Sequence, residues 1–562
     1  MEVKFSINNR PFTVNPSTVP VDTTLNTFIR SYARLTGTKF MCLEGGCGVC
    51  CVNITGLKTA SNELRSIAVN SCLWLVYSCH GLNVTTIEGL GGREYGYHPI
   101  QHTLYEYNGS QCGYCSPAMI MNMYSLLEQN GGKVTVKQVE NSFGGNMCRC
   151  TGYRPILDAF KSLTIDSPVN DIEDVATVSC CRPKKSTHYR HTSISCGTTS
   201  LGEVCNMLHL TFCDSRVWYR ITSLQQLLDT LRTIKDEYIL VAGNTAHGVY
   251  RRSNTIKHFI DVNAVAELHK VSSRRSKLTV GANVSLNEFM DILESVAADK
   301  PDFAYGKEMA QHIDLIATVP VRNTGTIAGN LSLKHEHNEF PSDIFLLLEA
   351  IGAELNIISV DGSMESYSPK RYLSLDMRQK VILNISLPKL PSNQFTFRSY
   401  KIMPRAQNAH AMVNAAFLFE FETVGVKKSV KSCHICYGGI NPKFIHAEQT
   451  EQLLTDVDDL YTNENIQKAI ACLQEELNPD DVLPDPSPEY RKRLAIALFY
   501  RFCLNTIPTA KKIRYEFRTG AKAIERSLSS GTQSFDTNEN LWPLTEPILK
   551  NEGLIQCSGE AQ

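Results

Sequence analysis

No apolar run in this 562-residue sequence reaches the roughly 18 residues that a membrane-spanning helix needs. Charge of one sign does not accumulate either. The sequence holds 56 Lys and Arg against 57 Asp and Glu, a formal net charge of −1, and its basic pieces are as short as Arg182-Pro183-Lys184-Lys185. Such a chain is not built around nucleic acid or an anionic bilayer, and neither is expected as a partner. The opening Met1-Glu2-Val3-Lys4-Phe5-Ser6-Ile7 alternates as a strand does and lacks the basic and apolar regions of a secretory signal. The expectation is a soluble, cytoplasmic protein of the cytosol or the peroxisome. Absent too are G-x-G-x-x-G and G-x4-G-K-S/T, which argues against Rossmann and P-loop nucleotide sites. There is no solenoid repeat. No nucleophile or general-base constellation stands out: His80, His98, His102 and His247 are scattered, so no catalytic residue is assigned.

Cysteine, by contrast, is plentiful. There are 20, and eight of them fall in two tight clusters before residue 151. Disulfides are disfavoured in a reducing compartment, so clustered cysteines read as metal ligands or catalytic thiols. Cys42-x4-Cys47-x2-Cys50 followed by Cys72 matches the spacing of plant-type 2Fe–2S ferredoxins. Gly45, Gly46 and Gly48 clear side chains from the loop and let backbone amides point at sulfur. Zinc loops usually present C-x2-C knuckles, so iron–sulfur is the better reading here. Cys51 and Cys79 are read as bystanders. The second set, Cys112-x2-Cys115 with Cys148-x-Cys150, is open between zinc and iron–sulfur on spacing alone. Its C-x-C pair suits two thiolates on one iron.

Local patterning divides the chain. Residues 3–7 and 11–14 read as a hairpin, 24–34 as a helix, and 49–54 and 82–87 as strands. Helices follow at 119–128 and 156–160, broken by Gly131-Gly132. Residues 186–193 have no core pattern and read as linker. Beyond it, helices at 224–231, 286–296 and 344–349 alternate with strands at 238–242, 258–262, 277–280 and 381–387. Strands at 395–400 and 415–421 and charged helices near 463–476 and 488–504 follow, and a Gly/Ser/Pro-punctuated tail runs from Thr506. Leu240-Val241-Ala242-Gly243-Asn244-Thr245-Ala246-His247 is a buried strand entering a turn whose successive amides suit a pyrophosphate. Gly325-Thr326-Ile327-Ala328-Gly329-Asn330 offers the same chemistry, with Asp343 shortly after.

These stretches resemble the N-terminal region of the xanthine dehydrogenase/aldehyde oxidase family. The resemblance is carried by Cys42-Leu43-Glu44-Gly45-Gly46-Cys47-Gly48-Val49-Cys50 and Val84-Thr85-Thr86-Ile87-Glu88-Gly89. It continues in Gln111-Cys112-Gly113-Tyr114-Cys115-Ser116-Pro117 and in Gly145-Asn146-Met147-Cys148-Arg149-Cys150-Thr151-Gly152-Tyr153-Arg154-Pro155-Ile156. With these flanks the second set is assigned to iron–sulfur. The resemblance implies an α+β multidomain protein. Its parts are a β-grasp ferredoxin-like domain at 1–90, a four-helix 2Fe–2S-binding domain at 91–165, a linker at 166–212 and a two-lobed FAD-binding domain of the PCMH (vanillyl-alcohol-oxidase) type at 213–395. A CO dehydrogenase flavoprotein C-terminal-like α+β subdomain at 396–507 and a connector at 508–562 complete it. It implies two 2Fe–2S clusters and FAD, with FAD contacts on 240–247, Ile316, Thr326 to Asn330, Asp343, Ile382 and Lys401. Lys401 falls where the family places a cation near the isoalloxazine, and Ile316 and Ile382 would be packing contacts. Gln111 would face the pterin of a molybdenum cofactor, a group of the full-length relatives only. Ala328 replaces a glycine usual in its turn, which is tolerable only at negative φ.

The resemblance further implies an oxidoreductase whose electrons run from the 112/115/148/150 cluster to the 42/47/50/72 cluster, then to FAD, and finally to O2 or NAD. Xanthine dehydrogenases carry acidic residues where this chain has Met403-Pro404-Arg405-Ala406-Gln407-Asn408-Ala409-His410. The neutral loop makes it more similar to aldehyde oxidases, which use O2. Aldehyde or N-heterocycle oxidation would need the molybdenum domain, into which 531–536, Trp542-Pro543 and the final residues resemble a connector. The expectation is thus a truncated electron-transfer half, with a face of its second cluster domain left uncovered and a homodimer allowed. The alternatives are a stand-alone electron-transfer flavoprotein or subunit and a silent redox-sensing or binding module.

Overall fold

The hairpin predicted at the start forms with Val3 opposite Val14 and Ile7 opposite Arg10. Its turn is made by Asn8 and Asn9, both at positive φ (51° and 63°), a conformation asparagine tolerates. The computed structural model describes residues 2–57, 64–167, 207–273, 277–405, 408–425, 427–482, 485–508, 511, 513–522, 528–529, 538–546 and 548–561. The linker features at 182–193 and the connector at 531–536 lie outside the described residues, as do Ala406 and Gln407.

The hairpin belongs to a five-stranded sheet. Its order is Arg10–Val14, Val3–Ile7, Asn83–Thr85, Cys51–Leu57, Leu64–Asn70, and Val3–Ile7 runs parallel to Asn83–Thr85. The helix expected at 24–34 is an α-turn, Leu25–Thr27, running into a π-turn, Phe28–Tyr32. The strand expected at 49–54 starts at Cys51, because the preceding residues are still in the cysteine loop.

Four helices follow: Pro99–Glu106, Ser116–Gln129, Val136–Ser142 and Arg154–Lys161. Ser116–Gln129 is buried along nearly its whole length, which hides amphipathic periodicity and explains why sequence patterning gave only its middle. Gly131 and Gly132, both at positive φ, end it.

The four-stranded sheet Leu208–Thr211, Val217–Arg220, His258–Asp261, Tyr238–Val241 comes next. Its face carrying Trp218 and Phe259 shares one apolar core with the first sheet, where Tyr77 lies 5.7 Å from Trp218 and 5.1 Å from Phe212. A second lobe is built on the five-stranded sheet Val271–Ser273, Lys277–Gly281, Lys380–Pro388, Glu354–Ser359, Met364–Tyr367, packed by helices Leu286–Asp299, Tyr305–Ile313 and Asp343–Ala350. The last sheet, Phe395–Ile402, Val413–Val424 and Lys427–Gly438, packs on helices Asn463–Glu476 and Pro488–Thr506.

The Gly/Ser/Pro-punctuated tail from Thr506 contains Tyr515–Thr519, Glu539–Leu541 and Gly553–Ser558. Gly553–Ser558 packs on the second cysteine unit, with Cys557 fully buried in that unit's core. Gln101 Nε2 donates to the Cys557 carbonyl at 3.5 Å, and Ser110 Oγ donates to Gln556 Oε1 at 2.8 Å. Among the described residues no helix is long and apolar enough to cross a membrane.

Candidate functional site

The loop from Cys42 to Cys50 folds back on itself because Leu43, Gly45 and Gly48 take positive φ (59°, 81° and 64°). Cys47, Cys50 and Cys72 are buried and Cys42 is half-buried. The thiols meet in two hydrogen-bonded pairs, Cys42 with Cys47 and Cys50 with Cys72. The Cys42 thiol is pulled down to about 5, first by its bond with Cys47 and further by backbone amides. The amides of Glu44 and Cys47 donate to Cys42 Sγ at 3.5 and 3.3 Å. Gly46 differs from expectation. It lacks a positive φ, and a Cβ there would meet nothing closer than 3.9 Å, so sterics do not require glycine. Cys51 and Cys79 turn away, their thiols donating to the carbonyls of Val52 and Leu75.

The second set is arranged in depth. Cys115, at the start of Ser116–Gln129, and Cys148 are buried, whereas Cys112 and Cys150 are exposed. Inner meets inner and outer meets outer: Cys115 bonds to Cys148, and Cys112 bonds to Cys150. The 148–150 loop crosses the surface boundary, so its two sulfurs reach different partners. Cys148 is oriented by Thr151, whose Oγ1 lies 3.1 Å from Sγ, and by its own amide, which donates to the Tyr153 hydroxyl at 3.1 Å. Among the described residues no three or more His, Cys, Asp or Glu gather at one point as a single metal ion would require. Thiols gathered as two pairs per set are the donor arrangement that suits two irons bridged by sulfide, two thiolates to each.

The two nests are joined directly. The Met147 amide donates to the Cys47 carbonyl at 2.8 Å, and Asn146 Nδ2 donates to the Gly48 carbonyl at 3.2 Å. A Cβ on Gly48 would lie 2.4 Å from the Gly145 carbonyl oxygen, so only glycine permits this approach.

On its other side the first nest abuts the two turns read as phosphate cradles. Strand Tyr238–Val241 alternates its faces: Val241 faces the core shared with the first sheet, and Leu240 and Ala242 face the core of the second lobe. Beyond it, a Cβ on Gly243 would fall 1.9 Å from the Thr324 carbonyl oxygen, so the 243–245 turn lies against the turn preceding Thr326. Thr326 caps helix Ile327–Glu336, accepting from the Gly329 amide at 3.0 Å. The second cradle is thus the first turn of a helix, and Ala328, being helical, meets the negative-φ condition; its amide donates to the Ala282 carbonyl at 2.9 Å. Ser342 Oγ donates to Asn330 Oδ1 at 2.5 Å and caps helix Asp343–Ala350. The two turns abut directly, because the Thr324 carbonyl fills the place a Cβ of Gly243 would take.

Lys401 and Asp343, distant in sequence, form a buried ion pair of 2.8 Å. His312 Nε2 lies 3.1 Å from Asp343 Oδ1, Asn414 Nδ2 donates to the same oxygen at 2.7 Å, and Lys401 Nζ donates to the Leu315 carbonyl at 3.1 Å. Burial pushes the Asp343 carboxyl up, but Lys401 and His312 outweigh it and hold it well below the ordinary range. Sequence reasoning missed His312 and Asn414, since neither lies in a motif; a buried helix carrying a histidine is the one signal present. Ile382 lies within the core of the second lobe and Ile316 packs at its edge. Burial, helped by Arg252 and Arg251, lowers His247 to about 4, and its Nδ1 accepts from the Arg252 amide at 3.1 Å. Gln111 is exposed, and its carbonyl accepts from Lys550 Nζ. His80 and His98 accept from the amides of Lys4 and Ile100, each at 3.2 Å.

Four protein-family models match the chain. They are "2Fe-2S iron-sulfur cluster binding domain" over 12–79, "2Fe-2S binding domain" over 86–161, "FAD binding domain in molybdopterin dehydrogenase" over 210–390 and "CO dehydrogenase flavoprotein C-terminal domain" over 398–506. An "Indole-3-acetaldehyde oxidase" of Arabidopsis thaliana is 30% identical over 100% of this chain and 43% of its own length. "Probable aldehyde oxidase 4" of Oryza sativa subsp. japonica is 30% identical over 100% of this chain and 71% of its own length. "Xanthine dehydrogenase 2" of Arabidopsis thaliana is 28% identical over 94% of this chain and 42% of its own. The chain thus spans less than half the length of most of these relatives. Among solved structures, quinoline 2-oxidoreductase from Pseudomonas putida 86 matches 54% of this chain and 96% of its own at 21% identity and a TM-score of 0.43.

Proposed function

Because the chain belongs to the aldehyde oxidase/xanthine dehydrogenase family of iron–sulfur flavoprotein oxidoreductases, we propose that its eight cysteines hold the two 2Fe–2S clusters and that electrons leave them through the flavin unit. Cys42, Cys47, Cys50 and Cys72 are the ligands of one cluster, and Cys112, Cys115, Cys148 and Cys150 those of the other. The observation that carries this reading is the chain of contacts: the second nest hydrogen-bonds to the first at Cys47 and Gly48, and the first hydrogen-bonds to the flavin turns at Leu73 and Gly46. Bound FAD supplies the exchange between one-electron and two-electron chemistry. The protein's own residues do the rest. The turn at 243–245 would hold the pyrophosphate with backbone amides, the amides of 327–330 being spent on protein acceptors, and Asp343 and Lys401 would fix the charge beside the ring.

In this reading, set in the cytosol, 1–90 and 91–165 carry the clusters and 213–395 the flavin, with strand Leu208–Thr211 of the expected linker joining the flavin unit's sheet. The acceptor is O2 rather than NAD. The described part of the 403–410 loop carries Arg405 and no acid, and Asn408 is turned to the first nest. An aldehyde is the substrate of the whole assembly, as the relatives' names suggest, and a homodimer rests on family alone. The test is iron, acid-labile sulfide and FAD content of the anaerobically purified chain, with reoxidation of the dithionite-reduced form by air and by NAD. Four irons, four sulfides and one FAD, reoxidised by air only, are expected from the ligand count of the 2Fe–2S type, about two irons per nest. Zinc without sulfide would sink the cluster assignment, and reoxidation by NAD would sink the acceptor.

A further inference from the structure

We propose that Asn244 and Asn408 are positioning residues that fasten the flavin-binding unit to the first cysteine loop. Sequence resemblance places Asn244 among FAD contacts, yet its carboxamide is committed elsewhere: Nδ2 donates to the Leu73 carbonyl at 2.7 Å, one residue from Cys72. Asn408 Nδ2 donates to the Gly46 carbonyl, also at 2.7 Å, one residue from Cys47. The Asn244 bond comes from the flavin unit and the Asn408 bond from the C-terminal subdomain, and the two grip opposite ends of the nest. Both asparagines sit at φ 56°, a left-handed conformation in which the side chain projects out of its own loop. The Asn408 carbonyl is in turn bonded by Arg405 Nε at 3.0 Å, which braces that loop. The seam between them is tight, since a Cβ on Gly248 would lie 2.5 Å from the Glu44 Cα.

The chemistry favours amides here. A carbonyl beside a thiolate ligand needs a donor, which a carboxylate cannot supply, and a lysine would add a charge next to the cluster. The same device recurs around the loop. Asn70 Nδ2 donates to the Gly45 carbonyl at 3.3 Å from within the unit, and Asn146 donates to Gly48 from the second unit. The nest is therefore held by neutral carboxamides on each side, and Asn244 and Asn408 are the two that reach its carbonyls from the flavin side.

This inference rests on the cluster assignment above, and its test separates the two. Asn244→Gly and Asn408→Gly remove the amides while keeping a residue that accepts φ 56° without strain. Hydrogen–deuterium exchange of the 42–50 and 72–75 amides in the full chain is the primary readout. Each variant should speed exchange in its own loop by roughly tenfold, the factor for one lost hydrogen bond. Asn408→Asp should in addition lower the midpoint potential of the first cluster's signal and leave the second's unchanged, because it sets a carboxylate beside one nest only. Unchanged exchange in the double glycine variant would overturn the proposal. So would loss of FAD from Asn244→Gly with exchange unaltered, which would make that side chain a flavin ligand. If the wild-type chain holds no acid-labile sulfide, the cluster assignment falls, and exchange at 42–50 still decides the tether.

Discussion

The two cysteine nests hold the same number of thiols in very different surroundings. In the first, three of the four are buried, and the loop carbonyls are bonded from the second unit, from the flavin unit and from the C-terminal subdomain. In the second, one pair is buried in the helical core and the other, Cys112 with Cys150, stands at the surface. In the proposed route the half-exposed second nest is the entry and the more buried first nest the relay to the flavin.

The largest effects should come from the ligands. Cys72→Ser is expected to abolish the first cluster's EPR signal and retain the second's, and Cys115→Ser the reverse. Loss of both signals in either variant would break the comparison, because it would make the nests one cooperative site. Next comes the buried pair on the flavin side. Lys401→Met leaves Asp343 buried with only His312 and Asn414 as partners and should cost about 3 kcal/mol in denaturant unfolding. The same pair makes the flavin side acid-sensitive. The Asp343 carboxyl is depressed in the fold, so its stabilisation is fully present above the unfolded value of about 4 and is lost as pH falls through the lower folded value. A melting temperature that did not drop between neutral pH and pH 3 would contradict this.

A smaller and sharper test uses two glycines of similar φ. Gly48 (64°) faces the Gly145 carbonyl across the seam, whereas Gly152 (65°) has nothing within 4 Å of its missing Cβ. Gly152→Ala should cost only the left-handed strain of about 1 kcal/mol, and Gly48→Ala about 2–3 kcal/mol with loosening between the nests. Equal costs would mean that the seam is not tightly packed. The mildest perturbation is alkylation of the metal-free chain, in which Cys112 and Cys150 should react before Cys47, Cys50 and Cys72 by peptide mass mapping.

Much of this was legible in the sequence because it is local. Each cysteine set lies on a short stretch whose spacing records the wrapping of one loop, and Gly243 and Thr326 sit in turns recognisable from composition. In the flavin unit the three predicted helices and four predicted strands were found nearly to the residue, whereas strands Val217–Arg220 and Glu354–Ser359 and helices Tyr305–Ile313 and Ile327–Glu336 were not foreseen. The helix Ser116–Gln129 was caught only in part because it is buried all round.

The sequence by itself marked the residues proposed to carry the chemistry: eight thiols and two turns by spacing and composition, and Lys401 by resemblance. Only the tertiary structure decided how they combine. It paired Cys112 with Cys150 and Cys115 with Cys148, set Lys401 against Asp343 and His312, and turned Asn244 and Asn408 from the flavin turns to the cysteine loop. These contacts join residues up to hundreds of positions apart. Such partners are chosen by burial, by the need of each buried polar group for a mate, and by where a missing Cβ lets two backbones meet, none of which leaves a periodic trace along the chain.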